Sequence, residues 1–230
     1  YTQDLPRSLA HTVVGQVTHG IELCRIARPG DILSLKVDPA RFDLVGLSLA
    51  EAAKKAEEQL ISLTADTPGD DRVVIGQSPQ TTLEILSGKS VSVTTIPDPQ
   101  VISIMLDDEH APVTARIFRE VTGLKYHAVG VLPMLFSFDE VTLFKAVIPK
   151  TTHVIPENLP ETGVDAGVLA MTNDSCKGVG IVGVRSVSSH EFGPTSEPFS
   201  GTNMIGRVLD MEKITGLEEG EMVYFREVRR

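Results

Sequence analysis

A duplicated pattern is the strongest constraint on what this chain can fold into. Residues 12–17 read Thr-Val-Val-Gly-Gln-Val, and residues 203–208 read Asn-Met-Ile-Gly-Arg-Val. A short mixed stretch with an apolar pair follows each, Ile21 and Leu23 in the first copy, Met211 and Ile214 in the second. Each copy then reaches a glycine, an acid and an alternating run: Gly30-Asp31-Ile32-Leu33-Ser34-Leu35-Lys36-Val37, and Gly220-Glu221-Met222-Val223-Tyr224-Phe225. The bracketing glycines are 15 residues apart in the first copy and 14 in the second. Alternation at period two predicts strands at both ends of each copy. The alternative is chance recurrence of β–helix–β punctuation. A true duplication predicts that residues 1–37 are the C-terminal part of one repeat, and that the chain closes at the same point of another. The natural protein is then expected to extend before Tyr1, and Val13, Val14 and Val17 to borrow a core from elsewhere or lie exposed.

Residues 38–97 have a different texture. Leu47, Leu49, Ala52, Ala53, Ala56 and Leu60 share one face at helical spacing, with Ser48 as cap and Glu51 three residues on. Thr67-Pro68-Gly69-Asp70-Asp71 is turn chemistry. Strands are predicted over 72–77, 82–86 and 91–96, with a turn at Ser87-Gly88-Lys89-Ser90 between the last two. This is a small α+β unit. Its pattern of Gly46-Leu47-Ser48-Leu49-Ala50-Glu51-Ala52, a helix, a strand and Gln77-Ser78-Pro79 resembles a PASTA-type module, a resemblance that carries no binding residues.

Residues 98–230 begin with a strand at 101–106 and a short helix at 112–121, then break into brief β-runs cut by Gly and Pro. Such spacing predicts a closed barrel or a sandwich. Ala111-Pro112-Val113-Thr114 with Phe118-Arg119 resembles the first helix of a cyclophilin. Ala166-Gly167-Val168-Leu169-Ala170-Met171-Thr172-Asn173 is similar to the cyclophilin strand that carries Met-Ala-Asn, and Asn203-Met204-Ile205-Gly206-Arg207-Val208 to the later strand leading into Gly-Lys-Val. The matches arrive in cyclophilin order. A closer resemblance lies in Phe118-Arg119-Glu120-Val121-Thr122-Gly123-Leu124, Ile155-Pro156-Glu157-Asn158, Glu191-Phe192-Gly193-Pro194-Thr195 and Phe199-Ser200-Gly201-Thr202-Asn203. Through these the chain resembles the methanogenesis marker protein 3 family of archaea, built from cyclophilin-like segments joined to smaller units. The resemblance implies a mainly β fold with α/β parts, a cyclophilin-like closed β-barrel plus the small α+β unit. It also implies association with the maturation or activation machinery of methyl-coenzyme M reductase.

Prolyl isomerisation faces a barrier of about 18–20 kcal/mol because the peptide C–N bond has double-bond character. A cyclophilin lowers it by directing an Arg, from a Phe-His-Arg stretch after the first helix, at a proline held in an apolar pocket. This chain has no Arg between Arg119 and Arg185, and the corresponding stretch reads Leu135-Phe136-Ser137-Phe138-Asp139. No catalytic residue is therefore assigned, and Arg185 is the fallback. The expected function is a non-catalytic protein-binding module. The alternatives are an active prolyl isomerase and a barrel that takes a small ligand in its mouth. The groove that the resemblance implies would use Met171, Thr172, Asn173 and Asn203, with Phe192 and Phe199 either as binding rim or as a cap on the barrel.

The remaining chemistry is sparse. Gly178-Val179-Gly180-Ile181-Val182-Gly183 fits GxGxxG, but the β-branched run after it is poor material for the helix a dinucleotide loop needs. Gly88-Lys89-Ser90 lacks the earlier glycine of a phosphate loop. The six histidines show no paired ligand spacing, and neither Cys24 nor Cys176 has a flanking cysteine, so no metal and no cofactor is expected. Asp107-Asp108-Glu109 has the chemistry to hold a hard cation, but a run of this kind is more often a solvated turn before a helix N-terminus. A net charge of −10 argues against nucleic acid as partner. The longest apolar run, Ala128 to Phe136, is about half of what a bilayer span needs. A protein partner in the cytoplasm is the expectation, with no membrane contact.

Overall fold

The computed structural model describes residues 15–138 and 140–228. The chain divides into two units, Tyr1–Ala40 and Arg41–Arg230. Val13 and Val14 lie outside the described residues. In the first unit one short helix, α1 (Ile21–Ile26), forms, and it buries none of its residues. The strand expected over Gly30–Val37 is absent: these residues have no regular structure. Ile32 is 95% exposed, Leu35 80% and Val37 70%. The alternation is present in the sequence, but a strand is held by a hydrogen-bonded neighbour, and among the described residues no strand pairs with this run.

The second unit opens with a three-stranded sheet backed by two helices. Helix α2 (Leu49–Glu58) starts at Ser48 with the expected capping box: Ser48 Oγ accepts from the Glu51 N–H, and the Glu51 carboxylate accepts from the Ser48 N–H. Strands β1 (Ser62–Ala65), β2 (Arg72–Ser78) and, after helix α3 (Thr82–Gly88), β3 (Ser90–Pro97) form a sheet in the order β1-β3-β2. The strand predicted over 82–86 is this helix instead. Thr81 accepts from the Glu84 N–H at its start and left-handed Lys89 ends it, so local capping outweighs the apolar alternation.

The barrel consists of β4 (Val101–Leu106), β5 (Val129–Phe138), β6 (Val141–Lys145), β7 (Val168–Thr172), β8 (Ile181–Arg185), β9 (Thr202–Val208) and β10 (Met222–Glu227). These close in the order β10-β4-β9-β7-β8-β6-β5, with β5 pairing back onto β10. Helix α4 (Pro112–Thr122) buries Ile117 and Phe118 into one cluster with interior residues of the strands. Phe225 meets both Phe118 and Phe144 edge to face, at 6.3 and 5.3 Å between centroids. The interior is filled by side chains, as in other small closed barrels.

The second copy of the duplicated pattern is β9, a 3-10 turn at Met211–Ile214, and β10. Its glycine is required: Gly206 has φ of 155°, and a β-carbon there would overlap the Met105 carbonyl oxygen of neighbouring β4. Sheet and barrel join through a small shared core of Val73, Val101 and Val129, with Arg226 paired to Asp98 at 2.9 Å. Among the described residues no helix is long and apolar enough to cross a membrane.

Candidate functional site

A buried hydrogen-bond hub organises one side of the barrel. Asn203, fully buried on β9, donates from Nδ2 to Thr114 Oγ1 at 2.9 Å and to the Ile155 carbonyl at 2.7 Å. Its Oδ1 accepts from the Glu157 N–H at 3.0 Å and from Asn173 Nδ2 at 2.9 Å. The Glu157 carboxylate in turn accepts from the N–H groups of Val113 and Thr114 and from the Thr114 hydroxyl. The first turn of α4, whose own cap residue Ala111 has no oxygen to offer, is thus capped from a distant loop, with negative charge at the positive end of the helix. Asn173 also donates to the Ser200 carbonyl and accepts from the Ser175 N–H. Every polar atom of both amides is paired, which is what makes their burial affordable.

The residues expected to line the groove are buried. Met171, Thr172, Asn173 and Asn203 are each 0% exposed. Met171 points into the barrel interior. Thr172 Oγ1 donates to the Gly178 carbonyl and accepts from the Ile181 N–H, holding the turn between β7 and β8. The Asn173 N–H donates to Gly201 and its carbonyl accepts from Cys176, so its backbone is also committed within the chain. All four belong to the wall that carries a surface.

The outer side of that wall holds a cross-strand row. Register pairs Phe136 with Leu143, Leu143 with Gly183, and Gly183 with Ala170. Residues paired across strands share a face. Leu143 is 4% and Ala170 0% exposed, yet neither belongs to the interior cluster. The chain's own loop reaches this row at Gly183. A β-carbon on Gly183 would overlap the Pro194 carbonyl oxygen, and one on Gly193 would come within 2.7 Å of Thr202 Oγ1. Thr195, 4% exposed, shares a 2.8 Å hydrogen bond with Thr202. The glycine-rich 178–183 stretch thus leads into a strand whose last glycine lets Pro194 lie against the sheet.

Beyond that contact the aromatic residues come to the surface. Phe136 and Phe138 are 42% and 39% exposed with their rings 5.5 Å apart, and Phe192 is 47% exposed. Phe199 is half-buried in a 3-10 turn. Phe136 and Phe138 occupy the stretch where the cyclophilin resemblance expects its Arg. Their exposure escaped sequence reading because a bulge between Met134 and Phe136 breaks the alternation.

The two arginines have separate situations. Arg119 is held charged by Glu227 and Asp108, with bonds of 2.6–2.8 Å to the two carboxylates. Arg185 ends β8 in register with Val141, which pairs with Phe138, and its Nε is buried without a hydrogen-bond partner. Cys176 lies beside the hub, its thiol 3.5 Å from the Gly201 carbonyl. Burial, and then the nearby Glu197, push its pKa up, opposite to what a reactive thiolate needs. Among the described residues no group of three His, Cys, Asp or Glu side chains is placed to hold a metal.

Known proteins of methanogens are similar to this chain. UPF0288 proteins of Methanosarcina barkeri, Methanococcus aeolicus and Methanopyrus kandleri are 38%, 37% and 37% identical to this chain over 99–100% of it. The match takes up 45–46% of those proteins, so the chain spans under half the length of the relatives it resembles. A solved structure of a conserved Enterococcus faecalis protein aligns with a TM-score of 0.35 at 12% identity, over 80% of this chain and 55% of that one. A family model described as "Putative peptidyl-prolyl cis-trans isomerase domain" matches residues 102–228, which run from β4 to just past β10 and take in the hub, the outer row and the aromatic rim. The chain belongs to that family.

Proposed function

We propose that the barrel is a protein-binding module that grips an extended partner segment at its aromatic rim and does not catalyse prolyl isomerisation. One observation carries the reading: the chain's own Pro194 carbonyl lies against Gly183, the middle of the outer row that Leu143 and Ala170 flank. An isomerase needs an open apolar slot for a substrate proline and a cation aimed at its amide. Here the backbone of Pro194 from the same chain lies against Gly183, and Phe136 and Phe138 stand where the resemblance would place the Arg. Exposed aromatic side chains are the usual anchors of protein contacts.

The partners we propose are components of the maturation or activation assembly of methyl-coenzyme M reductase, in the cytoplasm. Support comes from the resemblance to methanogenesis marker protein 3 and from the occurrence of the matched relatives in Methanosarcina, Methanococcus, Methanopyrus and Methanothermobacter. Titration of the full-length protein against isolated assembly components tests this. Phe192→Ala and Phe199→Ala are each expected to weaken binding by about 1–3 kcal/mol, while circular dichroism stays unchanged. Intact structure with undiminished binding would place the partner on another face.

A second reading, an active isomerase, is favoured by the description of the family and by Arg185, whose orphaned Nε lies one strand from the row of Val141 and Phe138. It requires the Pro194 loop to move aside. Acceleration of X-Pro exchange by the protein, abolished in Arg185→Ala, would select it.

A further inference from the structure

The two copies of the duplicated pattern have opposite fates. In the second copy, Ile205, Val208, Val223 and Phe225 are 0%, 4%, 2% and 0% exposed, all inside a closed barrel. In the first copy, Val17 stands at the position of Val208, Leu33 at that of Val223 and Leu35 at that of Phe225. These three are 48%, 44% and 80% exposed. The correspondence extends to residues with structural duties. Gly15 matches Gly206, where only a glycine admits the neighbouring backbone, and Lys36 matches Arg226, which points outward to Asp98. Helix α1 falls where the 3-10 turn separates β9 from β10.

We infer that residues 15–37 are the closing strand–helix–strand of a second barrel, and that Leu33 and Leu35 form its docking face. The occupant is a set of strands of this same fold, equivalent to β4, β5 and β7, carried by the full-length protein outside residues 1–230. Two facts fix this choice. The relatives are more than twice the length of the match, so they have chain enough for such strands. The barrel of residues 101–227 is already closed, with β10 seated between β4 and β5. Neither this barrel nor that of a second copy has a vacant place for residues 30–37. The pattern also assigns faces within the run: Leu33 and Leu35 inward, Ser34 and Lys36 outward, as Val223 and Phe225 against Tyr224 and Arg226.

Amide hydrogen exchange across residues 30–37 tests the inference in two samples, the full-length protein and this 230-residue chain. The expected result is exchange at least roughly a hundredfold slower in the full-length protein, independent of concentration, and fast exchange in the shorter chain. Leu35→Asp and Ser34→Asp, which add the same charge one residue apart, sharpen the result. Leu35→Asp in the full-length protein should abolish the protection and Ser34→Asp should leave it, because adjacent strand residues face opposite sides. Equally fast exchange in both samples would overturn the inference. So would protection that rises with concentration alongside a dimer, or equal effects of the two substitutions.

Discussion

Asn203 and Phe192 lie eleven residues apart on one barrel wall and make opposite demands on it. Asn203 has no exposed surface and four hydrogen bonds, which tie α4, the loop at 155–157 and the end of β7 to β9. Phe192 leaves nearly half its surface in water, and its N–H is held by the Ser189 hydroxyl. The contrast separates two kinds of residue: those that hold the wall in shape and those that the wall displays. The residues that carry the cyclophilin resemblance, Thr114, Asn173 and Asn203, are of the first kind. A signature shared with isomerases therefore reports a common scaffold, and its presence says little about catalysis.

The residues that hold the wall and those it displays differ most in stability. Asn203→Ala leaves the Glu157 N–H and the Ile155 carbonyl short of a partner, and an expected loss on the order of 3 kcal/mol should appear in denaturant unfolding. A loss below about 1 kcal/mol would mean that water replaces the amide and that the hub is not structural. Gly183→Val lies between the poles. Its side chain would overlap Pro194 and crowd Leu143, at an expected cost of about 1–3 kcal/mol. The Phe192–Phe199 loop should lift and become the preferred site of limited proteolysis. An unchanged cleavage pattern would show that Pro194 does not lie against Gly183.

Phe192→Ala should change stability by less than about 0.5 kcal/mol, the ordinary range for a surface substitution. A larger loss would make Phe192 a cap on the barrel and move it to the other side of the comparison. The smallest effect is chemical. Exposed Cys24 should be alkylated well before Cys176, whose burial and neighbouring Glu197 hold the thiol protonated. The gap should narrow as pH rises and Cys176 ionises; equal rates at neutral pH would mean that the hub side opens readily.

Much of the scaffold was legible in the sequence because it is written in local signals. Ser48 with Glu51 marks the start of α2, Pro112 that of α4, and the β-runs after residue 98 predict a closed barrel or a sandwich, of which the barrel forms. The displayed residues were harder to read. Met134 and Phe136 are two apart and should share a face, but the bulge between them turns Phe136 outward, and a bulge has no reliable signature in a single sequence. Asn203 lies on β9 and Asn173 just past the end of β7, and for polar residues an exposed place is the ordinary expectation. Their pairing with each other across 30 residues of chain, together with Thr114, Ile155, Glu157, Ser175 and Ser200, permits them inside. The run at 30–37 has the alternation of a strand without a partner to make it one.

The central claim, a wall of isomerase type whose work is binding, is tested most directly by NMR exchange spectroscopy on an X-Pro test peptide with the full-length protein. Uncatalysed exchange takes tens to hundreds of seconds at 25 °C, so even modest catalysis stands out. The expected result is an exchange rate that does not depend on protein concentration, in wild type and Arg185→Ala alike. A rate that rises with protein concentration and returns to background in Arg185→Ala would contradict the account and make Arg185 the catalytic residue.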